Sequence, residues 1–401
     1  MAPRTPRRLV AATLTASLLF GAAACGDDDD NGADDTTSST VAHELTEADA
    51  RAAATTYADL VHASYADVVT KAEALDGALE AFVATPTDAT LAAAKQAWLD
   101  GRVAYGPTEV FRFYDGPIDD PEDGPEGQIN AWPLDEAYID YVDGNADAGI
   151  VNDPEVAEIT TDVLVAANEE GGESNISTGW HAIEFLLWGQ DLSDTGPGAR
   201  PLTDYTTSPV AERRATYLTL LGDLLVSDLE SVRDAWGPEA GSYRETFLDD
   251  PHQAIANILR GMGALSSAEL AGERIAVALD TKDQEDEHSC FSDNTTVDVV
   301  GNATGIRMAY LADFPGIDGT SVSDVVATVD PELDAELRAQ LDASVAAATA
   351  LEAPFDQLIL GDDDAPGRVA LSALVTLLQD QGKTIAEVAG ALGYSVSLVV
   401  E

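Results

Sequence analysis

Over residues 46–83 the apolar side chains recur at helical spacing: Tyr57, Leu60, Val61, Tyr65, Val68, Val69, Leu75, Leu79, Phe82 and Val83. A stripe of that period and length predicts a long helix that must lay one face against other helices. Thr46, with Asp49 three residues on, gives a start signal, and Thr85-Pro86 gives a stop. A second helix follows, with Leu91, Trp98, Leu99 and Tyr105 as core positions, until Gly106-Pro107. Residues 108–112 predict a short helix carrying Glu109 and Arg112. Residues 114–133 are rich in Gly, Pro and Asp and predict a long loop, ordered by Phe111, Phe113, Tyr114, Ile129 and Trp132.

Helical patterning resumes at 134–142 and 153–168. After the Gly/Pro/Asp-rich residues 190–208, Ser208-Pro209 starts a helix with Tyr217, Leu220, Leu221, Leu224, Leu225, Leu229, Val232 and Trp236 on one face. Further helices are predicted at 250–280, 295–312, 331–351 and 369–392. Strand alternation is scarce. The expected class is all-α: two tandem helical-bundle domains with long ordered loops, 46–195 and 196–401.

The start of the chain carries an address. Arg4, Arg7 and Arg8 precede a short apolar stretch at 9–20, then Gly21-Ala22-Ala23-Ala24-Cys25. The stretch is too short to span a bilayer and reads as a signal peptide, residues 1–24, with Cys25 as the lipidation site. Ala22 departs from the Leu more usual three residues before such a cysteine. Residues 25–45 hold the acidic run GDDDDNGADDTTSST, expected as a disordered tether. The expected location is therefore extracytoplasmic, lipid-anchored to the cell membrane and touching it only through that anchor.

The formal net charge of −53 repels nucleic acid and anionic lipid, which excludes a nucleic-acid partner. The only cysteines are Cys25 and Cys290. With Cys25 lipidated, Cys290 has no partner, so packing or metal must hold the exported chain together. As a lone thiol, Cys290 is expected to be buried and slow to react.

Residues 180–188 (WHAIEFLLW) predict a helix, capped by Ser177 or Thr178, that is apolar on every side except the one bearing His181 and Glu184. Spaced i, i+3, these two share a face, and imidazole with carboxylate is a common metal-ligand combination. A neutral His181 bonded to Glu184 in a polar core network is the competing reading. Of the five histidines, His43 falls in the tether, while His62 and His252 read as structural or solvent-facing. The run DQEDEHSC at 283–290 packs four acids, His288 and Cys290 into eight residues. It lacks the central Gly of a calcium loop, so a solvated acidic loop is the simplest reading, one that accounts least for His288 and Cys290. Arg102, Tyr105, Glu109 and Arg112, about a helical turn apart, form either an ion-pair ladder or an extension of the His181 site.

These segments resemble a known family. Residues 179–189 (GWHAIEFLLWG) are similar to the G-x-H-x-x-E signature of the imelysin family. Its iron-regulated protein A branch is matched by 111–119 (FRFYDGPID), 130–135 (NAWPLD), 198–201 (GARP), 270–274 (LAGER) and 287–295 (EHSCFSDNT). The similarity runs from about Thr46 to the C-terminus. It implies an exported, often lipid-anchored protein of two helical bundles, connected with iron acquisition, with His181 and Glu184 in a cleft between them.

The expected cargo is a metal ion or metal chelate, iron first, with zinc or manganese as alternatives. His181 and Glu184 are the first ligands, Glu109 the leading third and His288 a closing one, with Arg112 and Asp115 beside them. Iron-uptake proteins are the expected partners. The peptidase label that the family also carries fits poorly. A zinc peptidase of the H-E-x-x-H kind needs a second His one turn on and a general base at position 182, where this chain has Ala182. A metallopeptidase using the same residues, and a non-catalytic module for a peptide, chelate or haem, are the alternatives to metal binding.

Overall fold

The computed structural model describes residues 45–193 and 195–398. The signal peptide, Cys25, His43 and the 25–44 stretch lie outside the described residues. The first helix runs Glu47–Ala84, and the Thr46 hydroxyl accepts from the Asp49 backbone N–H at 3.2 Å, as the start signal predicts. Tyr57, Leu60, Val61, Tyr65, Leu75, Leu79 and Phe82 are all buried along it. This helix packs against Asp88–Tyr105, Ala211–Ala235 and Pro251–Ala264. Thr295–Leu311, Pro331–Thr349 and Pro366–Ala391 complete the main helices. Among the described residues there is no strand, only one isolated bridge between Val142 and Asn145. No helix among them is long and apolar enough to cross a membrane.

The core is one contiguous set of buried side chains. Because the first helix lies on Ala211–Ala235 and Thr295–Leu311 lies on the turn at Gly106–Phe111, helices from both sides of the 195/196 division share that core. All the described residues fall within one compact unit. Within the Gly/Pro-rich stretch at 190–208, Asp191, Arg200, Asp204 and Tyr205 are buried.

Several local expectations are corrected. Residues 134–142 and 153–168 contain only the short helices Glu136–Ile139 and Thr161–Ala167. Neither Ser177 nor Thr178 caps the site helix with its side chain. Ser177 Oγ donates to the Leu164 carbonyl, and the Thr178 hydroxyl goes to Gln128 and Asn168. These tertiary partners outcompete the helix end. Ser208-Pro209 precedes the next helix without starting it, since that helix begins at Ala211.

The expected helix at 250–280 is interrupted by a π-helical stretch, Leu265–Ala276, between Pro251–Ala264 and Val277–Thr281. A π turn brings residues five apart onto one face. It thereby places Arg274 over Glu269, whose carboxylate accepts from Arg274 Nε and Nη2 at 3.1 and 2.9 Å.

Candidate functional site

The site helix Gly179–Trp188 is buried at every position. Gly179 takes a φ of +81°, and a Cβ there would sit 2.4 Å from the Ile129 carbonyl oxygen. Only glycine tolerates both conditions. Gly189 ends the helix at a φ of +73°. Trp98 Nε1 donates to the Trp180 carbonyl at 2.9 Å and fixes the helix to its neighbour.

On this helix His181 Nδ1 and Glu184 Oε2 are 3.0 Å apart, and both side chains are fully buried. The other carboxylate oxygen, Oε1, accepts from the Ser292 backbone N–H at 2.9 Å and the Ser292 hydroxyl at 2.6 Å. Burial nevertheless pushes the Glu184 carboxyl up to about 8. Burial also holds His181 well below the ordinary imidazole range, helped by its neighbours His288 and Arg102, so the ring is neutral. His181 Nε2 is buried and has no hydrogen-bond partner.

The structure brings His288 to this pair. The two imidazole rings stand 4.7 Å apart in a T-shaped arrangement, with Trp132 5.0 Å from the His181 ring. His288 Nδ1 lies 3.2 Å from Asp298 Oδ2 and 3.4 Å from Arg102 Nη2. The nearer carboxylate takes the Nδ1 proton, because Arg102 is already committed to Asp298 at 3.1 Å and to Asn130 at 2.5 Å. Burial, with Arg274 and Arg102 adding to it, keeps His288 neutral. Each ring thus has a carboxyl group on Nδ1, and once Glu184 is ionised it accepts the His181 Nδ1 proton and leaves the lone pair of that ring at Nε2.

Glu109 belongs to a different arrangement. Its carboxylate is tied to Arg274 at 2.5 Å, Arg112 at 2.9 Å and Asn130 at 3.3 Å. Burial disfavours its charge, but Arg274 and Arg112 outweigh burial and hold it well below the usual carboxylate range. With two guanidiniums already on it, Glu109 is a charge-paired wall, not a donor waiting for a cation. Arg112 bridges Glu109 and Glu126. Asp115 is exposed in a turn at a φ of +57°. Among the described residues no three His, Cys, Asp or Glu side chains are placed to hold one ion together.

A cavity of about 490 Å³ opens over His288, lined by Arg112, Asn130, Trp132, Arg274 and His288 with carboxylates at its rim. The 283–290 run is not a solvated loop throughout: Glu287, His288, Ser289 and Cys290 are buried. Cys290 is 3% exposed, and burial pushes its thiol well above the ordinary range, as expected of an inert cysteine. His252, for its part, pairs with the Tyr394 hydroxyl at 2.7 Å.

Sequence reasoning missed four contributors. Ser292, Trp132 and Arg274 sit inside the segments that carry the resemblance, but nothing in their spacing gave them roles. Asp298 lies outside those segments, and only folding brings it to His288.

The fold and these residues define an all-helical protein with a buried, carboxylate-oriented histidine pair. The imelysin family model, labelled a peptidase M75 family, matches residues 61–385, and the chain belongs to this family. The iron-regulated protein A of Synechococcus elongatus is 26% identical over 258 residues, covering 62% of this chain and 60% of the relative. The chain thus matches less than two thirds of that protein's length. A crystal structure described as an iron-regulated protein A precursor, from Parabacteroides distasonis, superposes with a TM-score of 0.69 at 22% identity. It covers 86% of this chain and 96% of its own. That likeness speaks to the fold. Together the family and the relatives point to an iron-related function.

Proposed function

We propose that the chain is an exported, lipid-anchored protein that takes up iron as cargo between His181 and His288. The observation that carries this reading is the pairing of two neutral, buried imidazoles, rings 4.7 Å apart, each with a carboxyl group on Nδ1. Histidines that ligate a metal through one nitrogen almost always give the other N–H to such an acceptor. On this reading Glu184 and Asp298 orient the rings, whereas the sequence suggested Glu184 as a ligand. His181 Nε2, buried and unpartnered, is the donor most in need of a ligand.

Two imidazoles leave most of an iron coordination sphere to other donors, so the cargo brings its own ligands, as a hydrated or chelated ion. The cavity over His288 is its approach, and the rim carboxylates raise the local cation concentration. Identity as iron rests on the iron-regulated relative, since imidazole also suits zinc. The donor set favours binding over hydrolysis. Glu184 is held by His181 and Ser292, and Ala182 leaves no base where an H-E-x-x-H peptidase has one.

The test is metal content by mass spectrometry after loading with ferrous or ferric iron. His181→Ala and His288→Ala should each abolish stoichiometric iron. Glu184→Gln and Asp298→Asn should weaken it by about 10- to 100-fold. Unchanged stoichiometry in both histidine variants would overturn the reading. For the anchor, Cys25→Ser should release the protein from the membrane fraction, and retention there would remove the lipid.

A further inference from the structure

We propose that Trp132 is a gate over His181: its indole closes the way from the cavity to His181 Nε2 and swings aside to admit a ligand to that nitrogen. His181 is fully buried and is not part of the cavity wall, whereas His288 and Trp132 both are. These two are the wall residues in ring contact with it, with centroids 4.7 Å and 5.0 Å from the His181 ring. A ligand in the cavity therefore meets His288 first and reaches His181 only past one of these rings.

The two rings are held differently. His288 Nδ1 lies between Asp298 Oδ2 and Arg102 Nη2, at 3.2 and 3.4 Å. Trp132 is partly buried and packs on His181 and, at 5.9 Å, on Phe291, but among the described residues its indole N–H makes no hydrogen bond. Its backbone is likewise untied. The Asn130 N–H donates to the Glu126 carbonyl at 2.9 Å and the Asp135 N–H to the Ser174 carbonyl at 2.7 Å, and between them residues 131–134 make no backbone hydrogen bond among the described residues.

A short segment pinned at both ends and untied in the middle belongs to the low-stability elements from which ligand gates are drawn. Parting ring contacts also costs less than breaking the buried network of Arg102, Asp298 and His288. Trp132 is thus the ring that moves, and its contact with Phe291 closes it onto the same loop that supplies His288 and Ser292. That the ligand admitted is iron rests on the proposed function; the gate itself does not.

The test needs no metal. The purified full chain, stripped with chelator, is treated with diethyl pyrocarbonate, which acylates neutral imidazole nitrogens, and the rate at each histidine is followed by peptide mass spectrometry. In the unsubstituted protein His181 should react more slowly than His288, at a rate that low, non-denaturing urea leaves unchanged, as a local opening requires. Trp132→Ala should raise the His181 rate by about 10-fold or more, because an open form populated at about 10% or less limits access while the indole is present. His252, whose ring packs on Tyr394, should keep its rate. Trp132→Phe, which retains a smaller ring, should fall between the two, and it replaces the alanine variant if that one loses the helical circular dichroism of the parent. A His181 rate unchanged in both variants, or one that follows global unfolding in urea in the unsubstituted protein, would overturn the gate. If neither variant folds, that urea dependence decides alone. Iron loaded beforehand should slow the acylation of His181; faster acylation in the variants without such protection would leave the gate standing and remove iron as the cargo.

Discussion

Ser292 gives two hydrogen bonds, from its backbone N–H and its hydroxyl, to the single oxygen Oε1 of Glu184, a residue 108 positions earlier. This clamp leaves Oε2 to face His181 and sets the direction of the imidazole. Removing the hydroxyl deletes one of the two donors that favour the charged carboxylate. Ser292→Ala is therefore expected to lower stability by about 1–2 kcal/mol and to raise the Glu184 midpoint further above about 8. Denaturant melts and a carboxyl-resolved NMR titration check the two effects. No upward movement of the Glu184 midpoint would count against the clamp.

Glu184 also makes the metal-free protein sensitive to alkali. Its folded carboxyl titrates at about 8, above the ordinary glutamate range. Between those limits the folded state binds the proton that the unfolded state has lost, so stability falls as pH rises through that window. The loss is on the order of 5 kcal/mol. Glu184→Gln removes the titrating group, and its stability relative to the unsubstituted protein should improve steadily from about pH 5 to pH 8. Parallel urea midpoints for the two proteins across that range would show that Glu184 is not the source.

The opposite sign holds at Asp140. Burial works against its charge, but the bond from Arg214 and the charges of Arg200 and Arg214 outweigh burial and depress its pKa. Arg200 Nη1 donates at 2.8 Å, and Arg214 donates through Nε and Nη2 at 2.5 and 2.9 Å. A depressed carboxyl contributes stability that is complete above the unfolded aspartate range and is lost as pH falls through the folded value. Asp140→Asn strands two buried guanidiniums and should cost about 3–5 kcal/mol at neutral pH. It should also flatten the acid limb of the stability profile. Equilibrium unfolding from pH 2 to 7 measures both.

Gly179→Ala tests the entry to the site helix. The new Cβ would meet the Ile129 carbonyl at 2.4 Å and must also adopt a φ of +81°. Backbone conflict of this kind is expected to cost several kcal/mol, on the order of 3. On the proposed function, iron binding should fall with it as His181 loses its placement. Gly77→Ala, where nothing lies within 4 Å of the added carbon, is the neutral control. Equal melting midpoints for the two variants would remove this explanation of the glycine.

The helices were legible because their signals are local. The 3.6-residue stripe beneath Tyr57, Leu60 and Val61 requires no knowledge of the partner helix, only that one exists. Thr46 acts as the cap that its spacing announces. Thr178, in contrast, was drawn away from its helix end by Gln128 and Asn168, and no local rule foresees such partners. The π turn at Leu265–Ala276 was hidden for the same reason, since its Glu269–Arg274 pairing is one part of a network that also takes in Glu109 and Asn302.

By itself, the sequence determined an acidic, all-helical chain with His181 and Glu184 on the one polar edge of a buried helix. Spacing along a single helix fixes that juxtaposition without help from the rest of the molecule. Tertiary structure alone decided which groups complete it. His288, Asp298 and Ser292 lie more than a hundred residues along the chain, and Glu109, a candidate ligand by position, was taken by two arginines. Contacts between distant segments follow from packing the whole core, and that packing sets Ser292 on the Glu184 carboxyl and Asp298 beside His288.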